Sequence, residues 1–123
     1  MNLTDLTDQG LSYVVLSVCE TNAEGELRPE TEKSFCDGYN ATFSTLRTYK
    51  SDEEAVTRAK RVLDEAIAGY KKRGYALRCA PKTIDVDNHN WRRIARVGKK
   101  GEPSMCLQVM VDAIAPYFDG WIY

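Results

Sequence analysis

Several groups of residues in this 123-residue chain have the types and spacing for chemistry. The segment DVDNHN (85–90) opens like a calcium loop, with oxygen-bearing side chains at alternate positions. The sixth place holds Asn90 instead of glycine and the twelfth holds Arg96 instead of a bidentate glutamate, so an EF-hand fails. Asx turns account for the composition. Cys79 or Cys106 with His89 has the residue types of a nucleophile and its base, but nothing in the sequence brings them together. The cysteines (Cys19, Cys36, Cys79, Cys106) are widely spaced without a C-x-x-C pair, and His89 is the single histidine, so no zinc set forms. Reduced, mostly buried thiols are expected. Gly98-Lys99-Lys100-Gly101 offers N–H groups and ammonium charge to a phosphate. It lacks the strand–loop–helix setting of a Walker loop and reads as a basic hairpin turn. No catalytic residue, metal or cofactor is predicted, and the chain is expected to be non-enzymatic.

Binding chemistry is better represented. Residues 1–54 carry 11 acidic and 4 basic side chains, and residues 55–123 carry 7 acidic and 13 basic, all of the latter between Arg58 and Lys100. Such asymmetry points to a polyanion or to an oppositely charged surface. Lys71, Lys72, Arg73, Arg78, Arg92, Arg96, Lys99 and Lys100 converge near Tyr75 and Trp91 if the hairpin that carries the last four cations runs back beside the helix end. Arg92 and Arg93 are adjacent on a strand and point to opposite faces, so they cannot both line one groove. Four of the twelve aromatic residues, Trp121 and Tyr123 among them, fall in the last seven positions. That much apolar area is expected to pack on the chain's own core or on a partner. Two readings follow. The first is an interaction protein that binds another protein, or itself, through the arginine-rich hairpin and the aromatic C-terminal tail, since Tyr, Trp and Arg dominate interface energetics. The second is a nucleic-acid-binding domain that uses the basic 58–100 surface.

The elements that must position these residues are organised around Ser51 to Tyr75. Ser51 suits the N-cap, with Glu54 three residues on to complete a capping box. Asp52, Glu53 and Glu54 at one end, and Lys71, Lys72 and Arg73 at the other, complement the helix dipole. Ala55, Val56, Ala59, Val62, Leu63, Ala66, Ile67 and Tyr70 form one apolar stripe. Gly74 suits a left-handed stop at which Tyr70 and Tyr75 touch. Before the helix, Leu11–Glu20 reads as a central strand, apolar on both faces. Asn22–Gly25 is a turn, and Leu27–Cys36 is an edge strand interrupted by Pro29. Asp37-Gly38 signals a hairpin into a strand over Tyr39–Tyr49. After the helix, Tyr75–Ala80 reads as a strand with Tyr75, Leu77 and Cys79 inward, bent or broken at Pro81 and resumed over Thr83–Val86. DVDNHN is then a loop, and Trp91–Val97 pairs with Ser104–Asp112 around Gly98–Gly101.

The pattern predicts one α+β domain over 1–123: an antiparallel sheet in strand-strand-strand-helix-strand-strand-strand order, packed on one long central helix. Val62, Leu63, Ala66 and Ile67 are expected against Val14, Leu16 and Phe43. The start MNLTDLTDQG has neither a basic nor an apolar run, and no stretch reaches membrane-spanning length. A cytoplasmic protein without a membrane partner is expected.

Overall fold

Ser51 opens the long helix as the sequence predicts. Its backbone is extended (φ −133°, ψ 151°), and its hydroxyl accepts the Glu54 N–H at 3.2 Å, which satisfies one of the donors a helix start leaves open. The helix, α1, spans Asp52–Lys72. It stops where Gly74 takes φ +93°, a conformation that costs glycine little. The Gly74 N–H donates to Lys71 O at 3.0 Å and the Tyr75 N–H to Tyr70 O at 3.1 Å, the bond pair of a Schellman stop. The Tyr70 and Tyr75 rings meet edge to face with centroids 5.0 Å apart. Cap, stripe and stop all lie where the sequence puts them.

A computed structural model describes residues 12–36, 48–49, 51–87 and 90–113. Within them the strands are β1 (Ser12–Glu20), β2 (Lys33–Cys36), β3 (Thr48–Tyr49), β4 (Ala76–Asp87), β5 (Asn90–Gly98) and β6 (Met105–Ala113). Every pairing is antiparallel, and the sheet runs β2-β1-β6-β5-β4, with β3 also pairing to β1. The fold is α+β, one antiparallel sheet packed on one helix. Among the described residues no helix is long and apolar enough to cross a membrane.

Register decides which side chains meet α1. Val14, Leu16 and Val18 stand opposite Val111, Val109 and Leu107 of β6, which in turn stand opposite Trp91, Arg93 and Ala95 of β5. Val62, Leu63, Ala66 and Ile67 of α1 are buried on this face with Val14, Leu16, Ala95, Val97, Leu107 and Val109. Each Val, Leu or Ile among them is worth about 1.5–3 kcal/mol when fully buried, so the α1–sheet layer dominates stability. Phe43, expected beside them, lies outside the described residues, as do Asp37-Gly38 and most of the strand predicted over Tyr39–Tyr49.

Three segments differ from expectation. Leu27–Cys36 is not one interrupted strand: Pro29–Thr31 forms a 3-10 turn and only Lys33–Cys36 pairs with β1. Pro29 fixes φ at the turn's start, and Thr31 Oγ1 donates to Arg28 O at 2.7 Å while accepting the Glu20 N–H at 2.9 Å. The strand after the helix runs through Pro81 to Asp87, with register shifts at Leu77/Cys79, Cys79/Lys82 and Asp85/Asp87. Leu77 and Cys79, expected inward, are exposed, because β4 is the outer strand and bulges there break the alternation of faces. Asp85–Asp87 and Asn90 belong to strands β4 and β5, so the loop expected over 85–90 does not hold there; Asn88 and His89 lie outside the described residues.

Candidate interaction surfaces

The face of the sheet away from α1 carries the even positions of β5 and β6. Arg92, Ile94 and Arg96 stand beside Met110, Gln108 and Cys106, which stand beside Val15, Ser17 and Cys19 of β1. Arg92, Ile94, Arg96, Gln108 and Met110 are half-buried. Residues 27–32 pass over one end of this face, where Leu27, Pro29 and Glu32 close a cavity of about 90 Å³ on Ser17, Cys19, Cys106 and Gln108. Arg92 Nη1 donates to Gln108 Oε1 at 3.2 Å. Arg96 extends toward the 22–25 turn: a methyl group placed on Gly25 would sit 3.7 Å from its Nη1. The Nε atoms of Arg92 and Arg96 are buried and find no acceptor among the described residues. Because these two Nε atoms are covered, contact from outside falls to the terminal Nη groups of the half-buried side chains. Arg93 points to the opposite face and donates to Thr83 Oγ1 at 2.8 Å, as adjacent strand positions require.

A second set of cations gathers where α1 ends and the β5–β6 turn begins. Lys71, Lys72, Arg73 and Lys100 are exposed there. The Arg73 guanidinium lies 4.2 Å over the Tyr70 ring and Lys99 Nζ lies 4.9 Å over the Tyr75 ring, both within cation–π range. The predicted convergence near Tyr75 holds for Arg73 and Lys99 and not for Arg92 and Arg96, which lie on the opposite face of the sheet. Trp91 takes no part in it. It opens β5 opposite Val111, packed against the core, about 20 Å along the strand from Val97 at the usual rise per residue.

Arg78 sits at this corner in a structural role. β4 has one extra residue between the pairs Leu77–Val97 and Cys79–Arg96, and that residue is Arg78. The bulge aims its side chain across Gly98 at the turn, where it donates to Glu102 O at 2.8 Å, to Ser104 Oγ at 2.9 Å and to Lys99 O. Trp121 and Tyr123 lie outside the described residues.

Sequence reasoning missed the ion pairs of the acidic half. Arg28 bridges Glu20 and Glu30, each at 3.0 Å, and the Glu30 carboxyl is held below its ordinary range by a backbone N–H and by Arg28. The 3-10 turn that sets this geometry was signalled only by Pro29. Cys19 and Cys106 are buried free thiols opposite each other across β1–β6, while Cys79 is free and exposed. Burial pushes the Cys106 thiol up, and the Arg96 guanidinium offsets part of that rise. Among the described residues no cluster of His, Cys, Asp and Glu could hold a metal ion. The chain matches no protein-family model, no curated protein and no solved structure.

Proposed function

We propose that this chain is a non-catalytic interaction protein that binds another protein, a second copy included, through the face of the β5–β6 hairpin turned away from α1. The carrying observation is the pair of half-buried arginines, Arg92 and Arg96, set beside Ile94 and Met110 on the face of the sheet turned away from α1. Arginine is among the residue types that dominate binding energy at protein interfaces, and a partner's carboxylates or carbonyls would accept from the terminal guanidinium N–H groups.

A specific observation favours a second reading, polyanion binding. α1 and the β5–β6 turn bring Lys71, Lys72, Arg73, Lys99 and Lys100 to one corner. The rings there already carry the chain's own cations, which leaves less aromatic face for base stacking than the sequence suggests.

The test is affinity purification from lysate of the cells that make the protein, with and without nuclease, using wild type and R92A/R96A. The protein-binding reading expects a discrete partner, or self-association, that survives nuclease and weakens about 30-fold or more in the variant, the effect of removing a hot spot. A partner lost on nuclease treatment and retained by R92A/R96A would replace it with the polyanion reading.

A further inference from the structure

Past the end of α1 the helix side of the sheet is left open. α1 stops at Lys72, whereas β1 continues to Glu20, flanked by Lys33 and Phe35 of β2 and by Met105 of β6. A cavity of about 410 Å³ results. Val18, Phe35 and Met105 contribute apolar surface, Tyr70 and Tyr75 of the helix stop contribute aromatic surface, and Lys33, Arg73 and Glu20 contribute charge. The volume is that of a small-molecule site, and apolar walls with a few polar groups are the usual composition of one.

The charges have a definite sign. The Glu20 carboxylate is engaged by Arg28 at 3.0 Å. Lys33 and Arg73 are exposed and form no ion pair among the described residues, so the cavity's unopposed charge is positive. Stacking 4.2 Å over Tyr70 orients the Arg73 guanidinium while leaving its in-plane N–H donors available. The negative end of a helix dipole would repel an anion. Here that end is blunted: Tyr70 O accepts from the Arg73 and Tyr75 N–H groups, and Lys71 O accepts from Gly74.

We infer that this cavity binds a small planar aromatic carboxylate. The ring lies on Val18, Phe35 and Met105 against the edge-to-face Tyr70–Tyr75 pair, and the carboxylate lies between Lys33 and Arg73. An aromatic body matches walls made of aromatic and apolar side chains. A carboxylate matches the guanidinium fork. The inference is independent of the arginine face of the hairpin, which lies on the other side of the sheet.

The test titrates native protein at low ionic strength with 1-naphthoate, with 1-naphthalenemethanol (the same ring system without charge) and with acetate (charge without the ring), by calorimetry and by amide chemical shifts. Naphthoate is expected to bind saturably at one site and to shift the amides of Val18, Tyr75 and Met105. The alcohol should bind about tenfold more weakly, as should R73Q and K33Q titrated with naphthoate, each having lost a charge-assisted hydrogen bond. Both substitutions are at exposed positions, and circular dichroism checks that the variants are folded. Equal affinity for naphthoate and the alcohol, unchanged affinity in the R73Q/K33Q double variant, shifts confined to β4, or no saturation by about 10 mM, the weak limit of a specific small-molecule site, would each overturn the inference.

Discussion

Replacing Gly98 with alanine should destabilise this protein through a residue twenty positions away in sequence. A methyl group built on Gly98 falls 2.6 Å from Arg78 Nη1, and nearer still to Nε and Cζ, closer than real contacts allow. The backbone of Gly98 is not left-handed, so alanine itself is no strain there; Arg78 must move. Moving it breaks its bonds to Lys99 O, Glu102 O and Ser104 Oγ, which fasten the turn between β5 and β6. A hydrogen bond to a charged group contributes roughly 1.5–3 kcal/mol when shielded, and an exposed one is discounted for solvent competition to about 0.5–1. The three together give about 1.5–3 kcal/mol, or a drop of about 5–10 °C in Tm for a domain of this size. R78A should cost a similar amount by losing the same bonds. In the R78A background, G98A should then cost nothing, or stabilise by up to about 1 kcal/mol through reduced unfolded-chain entropy. A double-mutant cycle by urea denaturation measures this directly. Equal cost of G98A in both backgrounds would refute the link between bulge, glycine and turn.

The other predictions concern the core, the helix ends and the thiols. L63A, at a side chain with no exposure, should cost about 3–5 kcal/mol in denaturant unfolding, the transfer and cavity terms combined. S51A should cost about 1 kcal/mol by removing the cap bond, and G74A about as much by forcing a Cβ into the left-handed region; thermal melts check both. Under native conditions Cys79 should be alkylated before Cys19 and Cys106, as mass spectrometry of trapped time points would show, since Cys79 is exposed and the other two are buried. Because the folded Cys106 thiol is raised above its unfolded value, its contribution is intact below the unfolded thiol's pKa of about 8.5 and is lost as pH climbs toward the folded one. Stability in urea should fall over that alkaline window, and C106A should flatten the fall.

The helix was the most legible part of the sequence because its cap, stripe, dipole charges and stop are all local, and each is a property of α1 before it packs. β1, β5 and β6 were legible for a related reason: their alternation persists when paired on both sides. β4 was not. Alternation predicts Leu77 and Cys79 inward, but an outer strand with extra residues at its bulges is free to rotate them outward. The candidate surfaces were half-legible. That Lys99 would reach Tyr75 could be stated only as a condition, because it depends on strand order, which composition does not encode. That Arg92 would meet Gln108, a neighbour 16 positions away, depends on cross-strand register, as does the burial of the Nε atoms of Arg92 and Arg96 without an acceptor among the described residues.

The irregularity of β4 also bears on how the protein behaves in concentrated solution. A long flat outer strand is a template for indiscriminate ladder growth between chains. β4 has the length for this, at 12 residues, but its register shifts three times, and Pro81 removes a donor midway. Lys82 adds an exposed charge beside it. Another extended chain laid along that margin would find correctly spaced N–H and C=O groups for only a few residues at a time. The backbone of this margin is thereby kept from pairing indiscriminately, and its outward character is set by its side chains.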